Sequence, residues 1–234
     1  MNVIIPKKLA TGLALSVAAL ALVSCAAKEA DKVGEAQLCL DKATQGTAAA
    51  CLEKIQGIES KGAYTLRCSA GFIDEGFTQP VRFKAAFDAL STNATSNTEA
   101  FLGVLAFSSK ASKALNSTFA SDTYTYCTKS GAKGLMLLGS MATTATKLSE
   151  LAANANGTQP DASQITAAMT AALSDPTAKA AIGGAVATTY TSSCQTGQKA
   201  DATLCSQLDT ALTGVDLTNS AAVGTAILNY WQSH

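Results

Sequence analysis

The chain that follows the first 25 residues carries many signals for helices and almost none for strands, and this contrast limits its fold most. β-branched and polar residues show no sustained alternation, whereas alanine, the best helix former, is abundant throughout. Asp175-Pro176 places a capping side chain before a proline at the first helical position, and Ser96 to Glu99 has the pattern of a capping box. We therefore predict an all-α protein, a bundle or short solenoid of about ten helices in antiparallel hairpins.

Further residues mark where individual helices begin, end or meet. Thr78-Gln79-Pro80 predicts the start of a helix. Asp201 predicts the start of another helix, which ends at Gly214, and Asn219 predicts the start of the last helix. Gly183-Gly184 lies inside a helical run, which indicates either a close approach of two helices or a break into two. The polar stretch 157–160 is the clearest internal boundary, and it divides the domain 30–234 into lobes 30–156 and 161–234.

The amino-terminal residues form an export signal. Lys7 and Lys8 precede a run of apolar and small residues from Leu9 to Val23, which ends at Ser24 and Cys25. A positive region, a short apolar region and a small residue at the end are the three parts of a signal peptide. A membrane-spanning helix would need about 20 apolar residues, which is longer than this run.

The junction Leu22-Val23-Ser24-Cys25 resembles the lipobox of bacterial lipoprotein precursors. The resemblance implies a signal peptide over 1–24 and cleavage before Cys25, which then carries a diacylglycerol on its thiol and an acyl chain on its amine. Two or three acyl chains anchor a protein stably to a bilayer, whereas one does so only marginally. Residues 25–29 are then a short linker, and Ala26, where an aspartate would favour the inner membrane, indicates the outer membrane facing the periplasm.

Six cysteines follow Cys25, and in an exported chain an even number indicates disulfides. They lie at least eleven positions apart, no Cys-x-x-Cys pair occurs, and the sole histidine is His234. Zinc sites use closely spaced cysteines or histidines, so we predict no metal site. The six residues are Cys39, Cys51, Cys68, Cys127, Cys194 and Cys205.

Symmetry about turns suggests how these cysteines pair. Cys39 and Cys51 are equidistant from position 45 in the turn 44–46, and Cys194 and Cys205 bracket the turn 197–200. One set of pairs is therefore Cys39–Cys51, Cys68–Cys127 and Cys194–Cys205. Cys51–Cys68 about a turn near 60–62 passes the same test and would leave Cys39 for Cys127, so both sets stay open for the first four cysteines.

The stretch 30–77 is weakly similar to tetratricopeptide-type helical hairpins. The similarity is carried by an echo between Leu38-Cys39-Leu40 and Ala50-Cys51-Leu52. The 34-residue period of that family is not visible. The resemblance implies packing of helical hairpins over about a fifth of the chain.

Charge and composition exclude several classes of function. The chain has 17 basic and 17 acidic side chains, and loss of residues 1–24 removes only Lys7 and Lys8, which leaves a net charge of −2. Nucleic-acid binding needs clustered lysine and arginine, which are absent here. Catalysis that depends on a histidine base would have to use His234, the only histidine of the chain. Asp74-Glu75 is the only pair of adjacent carboxylates after the signal. We predict a protein that is not an enzyme and has no cofactor.

The segment 64–87 has the densest set of candidate binding residues. It contains both arginines of the chain, four of its seven phenylalanines and an acidic pair. A groove that binds an anion or a carboxylate would use such arginines. The alternative is a helix–helix joint with phenylalanines in the core and Arg67 paired with an acid at its edge. The residues concerned are Arg67, Asp74, Glu75 and Arg82.

Three functions remain, in descending order of expectation. The first is a lipid-anchored docking or scaffold module that contacts another envelope protein. The second is a lipoprotein that binds a small ligand and is associated with a transporter, and the third is an enzyme of unknown type. A large apolar pocket between helices would favour ligand binding, and an exposed apolar patch would favour a protein partner.

Overall fold

The computed structural model describes residues 28–80, 82, 84, 97–195 and 201–233. Within these ranges the chain consists of helices and the loops that join them, with no strand. The prediction of an all-α fold is confirmed. No helix in the described part of the chain is both long enough and apolar enough to cross a membrane.

In the described part of the chain we number ten α-helices in order. A 3-10 turn over Glu53–Ile55 follows the second of them, and residues 80, 82 and 84 are also helical. The helices are α1 (28–40), α2 (Ala48–Leu52), α3 (Lys61–Asp74), α4 (Asn97–Leu105), α5 (Lys113–Ser130), α6 (Lys133–Leu151), α7 (Ala162–Ser174), α8 (Pro176–Ser193), α9 (Ala202–Ala211) and α10 (Ser220–Ser233).

Side-chain caps begin the helices where the sequence predicts them. Asp175 accepts hydrogen bonds from the backbone N–H groups of Thr177 and Ala178 at the start of α8. Asp201 caps α9 through Leu204 N–H, and Asn219 accepts from Ala222 N–H at the start of α10. These three starts are confirmed, whereas Ser96 of the predicted capping box lies outside the described residues. Residues 28 and 29, which the sequence analysis assigns to a linker, are already helical, because lysine and glutamate are good helix formers.

Three disulfides connect neighbouring helices. Cys39–Cys51 joins α1 to α2, Cys68–Cys127 joins α3 to α5, and Cys194–Cys205 joins the end of α8 to α9. Their Cα–Cα distances are 5.5, 4.8 and 5.3 Å, within the normal range for a disulfide. This is the first of the two sets of pairs that the spacing of the cysteines left open.

The hydrophobic core has a large carboxy-terminal part and a smaller amino-terminal part. The large part includes Leu102, Leu148, Ile165, Ile182 and Ile227, and so draws on helices on both sides of the loop 157–160. A division of the chain into lobes at that loop would therefore cut through one continuous core. The small part packs α1, α2 and α3 around side chains that include Leu40, Ile55 and Leu66.

An aromatic cluster joins these two parts. Phe72 at the end of α3 contacts Phe77 and Phe107 edge to face, with ring centroids 5.3 and 5.6 Å apart. The Cys68–Cys127 disulfide belongs to the same buried cluster. Phe83 and Phe87, the other phenylalanines of the segment 64–87, lie outside the described residues. The cluster and the disulfide together fix the amino-terminal helices to α5 and α6.

Candidate ligand-binding site

A cavity of about 470 Å³ lies between α4, α6, α8, α9 and α10. Its volume is within the range of roughly 300–1,000 Å³ that is usual for small-molecule sites. Most of its surface comes from apolar side chains. The residues that line it are Thr98, Phe101, Leu102, Leu137, Ser140, Met141, Thr144, Val186, Thr189, Asp201, Thr203, Leu204, Gln207, Leu208, Tyr230 and Trp231.

Helical periodicity places the lining residues of α6 on one face. Leu137, Ser140, Met141 and Thr144 follow one another at intervals of three, one and three residues, so they form a single stripe along the helix. Two of these four residues, Ser140 and Thr144, are short and polar. Short side chains at this position leave the space that a leucine or phenylalanine would fill in a closed core.

The cavity is deep on one side and open on the other. Leu102, Thr144 and Val186 are buried at its floor, whereas Thr203 and Gln207 on α9 are exposed at its mouth. Trp231 of α10 is half-buried between the two. A ligand would therefore enter past α9 and lose most of its contact with water inside.

The polar groups of the cavity are mainly hydroxyls. Thr189 Oγ1 lies 3.3 Å from the hydroxyl of Tyr124, which itself donates to the Ala185 carbonyl at 3.2 Å. Thr144 Oγ1 is buried and has no hydrogen-bond partner among the described residues. Asp201 at the mouth is the one charged residue among the described lining residues, and it caps α9. The arrangement suits a molecule without negative charge that is largely apolar.

The polar side chains of the cavity are hydroxyls, one amide, one carboxylate and the indole of Trp231. Its described lining residues include no histidine, cysteine, lysine or arginine. Across the described part of the chain, no three metal-binding side chains of the His, Cys, Asp or Glu type lie together.

A second hollow lies between α5, α6 and α8. It is larger, about 740 Å³, but many of its lining residues are exposed, among them Thr118, Asp122 and Thr188. Its wall includes the ion pair between Lys147 and Glu150, with a distance of 2.6 Å. A wide, open groove of this kind leaves a ligand in contact with water, so it is a weaker candidate than the more enclosed apolar cavity.

Two of the residues that the sequence analysis singled out lie within the amino-terminal part. Asp74 is buried and accepts a hydrogen bond of 2.8 Å from Ala48 N–H at the start of α2. Arg67 donates to the Ile55 carbonyl at 2.8 Å, and its guanidinium lies 5.2 Å from the ring centroid of Tyr64. Arg67 is therefore held by a carbonyl and by aromatic rings, and not by Asp74 or Glu75 as the joint interpretation expected.

The other two residues, Glu75 and Arg82, lie against each other in the interior. Glu75 is fully buried and accepts hydrogen bonds from the backbone N–H groups of Ser108 and Ser109 and from the Ser109 hydroxyl. The Arg82 guanidinium is 3.7 Å from the Glu75 carboxylate. Burial lowers the pKa of Arg82 to about 10, and the charge of Glu75 acts in the opposite direction.

Arg82 also donates hydrogen bonds to three backbone carbonyls. The acceptors are the carbonyl oxygens of Val104 in the last turn of α4, of Ala106 directly after that helix, and of Glu75. Its guanidinium lies 4.0 Å from the ring centroid of Phe77. These contacts tie the segment after α3 to the loop after α4, and they favour the interpretation of this region as a helix–helix joint.

The structure thus brings together only one pair of the four predicted residues, and none of the four lines the cavity. The residues of the cavity were missed from the sequence, where the one signal was the presence of Ser140 and Thr144 on the apolar face of α6. Comparison with known proteins adds no family to this geometry. No protein-family model matches the chain, and no curated protein and no solved structure matches it either.

Proposed function

We propose that this protein is a lipid-anchored, non-enzymatic protein of the bacterial envelope that binds a small, mainly apolar ligand between α4, α6, α8, α9 and α10. The observation that carries the proposal is the cavity of about 470 Å³ with largely apolar walls and a buried floor. A pocket of this size and lining, enclosed by helices, is typical of a small-molecule site.

The surface gives less support to docking on another protein. Among the described residues, the large hydrophobic side chains that are exposed are Leu38 on α1 and Leu115 on α5. Single exposed hydrophobic residues on different helices are ordinary for a protein surface, whereas docking sites usually present a larger apolar patch. The cavity therefore favours ligand binding, the second of the three functions expected from the sequence, over the docking module.

The lipid anchor would hold this cavity close to a membrane. Cys25 lies outside the described residues, but residue 28 is already helical. Three residues of chain reach roughly 10 Å at most, so the helical domain would lie next to the bilayer. A binding protein in that position, on the outer membrane and facing the periplasm, is suited to collecting a ligand and passing it to a transporter.

Replacing Cys25 with serine is expected to release the protein from the membrane. The serine hydroxyl cannot take the thioether-linked diacylglycerol, so the chain loses the acyl groups that hold it in the bilayer. The measurement is the distribution of the protein between membrane pellet and soluble fraction after a high-salt wash. Ala27→Ser, two residues away, is the matched control and should stay in the pellet. Retention of Cys25→Ser in the pellet would remove the main support for the anchor.

Ligand binding can be tested with N-phenylnaphthylamine, an uncharged apolar dye whose fluorescence rises in apolar surroundings. We expect saturable binding to the full domain. Thr203→Trp, which places a large side chain at the mouth of the cavity, should weaken this binding by at least about fivefold, because it obstructs entry and occupies space the dye would use.

Thr210→Trp provides the control. Thr203 and Thr210 are both exposed on α9, but only Thr203 lines the cavity. The Thr210 variant should bind the dye as the unmodified protein does. Absence of saturable binding, or an equal loss in both variants, would contradict the proposed function.

A further inference from the structure

We propose that the ligand of the cavity is an uncharged molecule with an apolar body and a hydroxyl or carbonyl group, and that the side chain of Thr144 binds this group. The inference rests on the proposed function and specifies the class of ligand. It is carried by a buried polar group at the cavity that has no partner among the described residues.

Thr144 lies on the floor of the cavity and is 1% exposed. Among the buried side-chain oxygens and nitrogens of the described residues, its Oγ1 is the only one without a hydrogen-bond partner. Buried hydroxyls are normally paired, because an unpaired one has lost its water without gaining a replacement. The hydroxyl of Thr144 is an exception to this rule, and a ligand in the cavity could supply the missing hydrogen-bond partner.

Two other threonines of α6, by contrast, have hydrogen-bond partners within the protein. Thr146, equally buried, donates to the Ala142 carbonyl at 2.6 Å and accepts from Phe107 N–H at 2.9 Å. Thr143 donates to the Ala120 carbonyl at 3.2 Å. Thr143 and Thr146 are therefore paired within the protein, whereas Thr144, which lines the cavity, has a buried hydroxyl without a partner among the described residues.

The side chain of Thr144 would have to turn its hydroxyl toward the cavity to bind a ligand, because this oxygen is buried in the free protein. Threonine occupies two χ1 rotamers in helices, and rotation about Cα–Cβ moves the hydroxyl relative to the methyl group. A hydroxyl both donates and accepts, so it can pair with an alcohol or with a carbonyl oxygen. The remaining floor, formed by residues such as Leu102 and Val186, would contact the apolar body.

The charges at the cavity select against an anionic ligand. No lysine or arginine is present among its described lining residues, and Asp201 stands at the mouth. A carboxylate or phosphate that entered would lose its water without gaining a cation. An uncharged amphiphile, by contrast, needs only the hydroxyl of Thr144 and apolar contact.

The test uses octanol and octanoate, which share a chain length and differ in charge, as competitors of N-phenylnaphthylamine. We expect octanol to displace the dye at a concentration at least about tenfold lower than octanoate at neutral pH. Thr144→Val, which keeps the shape and removes the hydroxyl, should weaken octanol about fivefold relative to the dye, whose own affinity is measured directly for the same variant.

A second measurement examines the free protein. Thr144→Val removes an unpaired buried hydroxyl, so its midpoint of thermal unfolding should rise or stay level. Thr146→Val, the matched control on the same helix, breaks two hydrogen bonds and should lower the midpoint. A fall in the midpoint for the Thr144 variant would mean that its hydroxyl has a partner within the protein, which would overturn the inference.

The outcomes separate this inference from the proposed function. If the dye does not bind the unmodified protein, ligand binding itself is wrong. If the dye binds but octanoate competes as well as octanol, or Thr144→Val leaves octanol binding unchanged, the cavity binds ligands of another class and only the present inference fails.

Discussion

Loss of the disulfide between Cys68 and Cys127 is expected to destabilise the protein more than loss of the one between Cys194 and Cys205. The two pairs are separated by 59 and 11 residues in the sequence. A cross-link restricts the unfolded chain more when it closes a longer loop, which corresponds to about 4 kcal/mol for the first pair and about 3 kcal/mol for the second. Denaturant unfolding of the two double alanine variants, without reductant, measures both values.

The comparison is informative because the two disulfides lie in similar surroundings. Cys68, Cys127 and Cys205 are fully buried and Cys194 is nearly so, which makes the packing lost on truncation to alanine comparable in the two variants. Cys68–Cys127 also fixes α3 to α5, and α5 packs against α6, which forms one wall of the cavity. Equal destabilisation of the two variants would indicate that the unfolded chain retains structure around Cys68 and Cys127.

The local features of the fold were predictable from the sequence because they depend on neighbouring residues. Asp175, Asp201 and Asn219 cap helices through hydrogen bonds to residues two or three positions away, and such contacts can be inferred from spacing. The pairing of Cys194 with Cys205 was predictable for a similar reason, because the two residues are only 11 positions apart. Alanine-rich segments with these caps leave little choice other than helix.

Contacts between distant segments were not predictable in this way. Arg67 and Asp74 are two turns apart on α3, which suggested a pair along the helix. However, Asp74 is the last residue of α3, where it accepts from Ala48 N–H, and Arg67 reaches the Ile55 carbonyl. Both partners lie in the preceding hairpin, and their position depends on how α2 packs on α3.

The cavity depends on five helices that are spread over the chain from Thr98 to Trp231. A sequence pattern shows which face of α6 is apolar, but not whether the facing side chains fill the space. Ser140 and Thr144 could have been satisfied by their own helix, as Thr146 is. Only the assembled helices show that Thr144 has no partner among the described residues and that a space remains beside it.

Replacing Gly183 with alanine should destabilise the protein by about 3 kcal/mol, because Gly183 lies where α8 packs closely against α10. This is the second large expected effect. A Cβ at Gly183 would overlap the Ser220 carbonyl oxygen and lie 2.5 Å from the Gly224 backbone nitrogen. Backbone atoms cannot rotate away as a side chain can, so the two helices would have to move apart and lose core contacts. Thermal or denaturant unfolding of Gly183→Ala measures this loss.

Gly184→Ala is the matched control, and it should change stability in the opposite direction. A Cβ at Gly184 would have the Ser220 hydroxyl oxygen as its nearest neighbour, at an ordinary contact distance of 3.5 Å. Without a clash, alanine restricts the unfolded chain and favours the helix, which is expected to raise stability by about 0.5–1 kcal/mol. The same substitution then changes the stability in opposite directions at two adjacent positions, which helix propensity alone cannot explain. Similar values for both variants would contradict the close packing of α8 on α10. Since α8 and α10 both line the cavity, a separation of these helices in Gly183→Ala should also weaken dye binding, while Gly184→Ala leaves it unchanged.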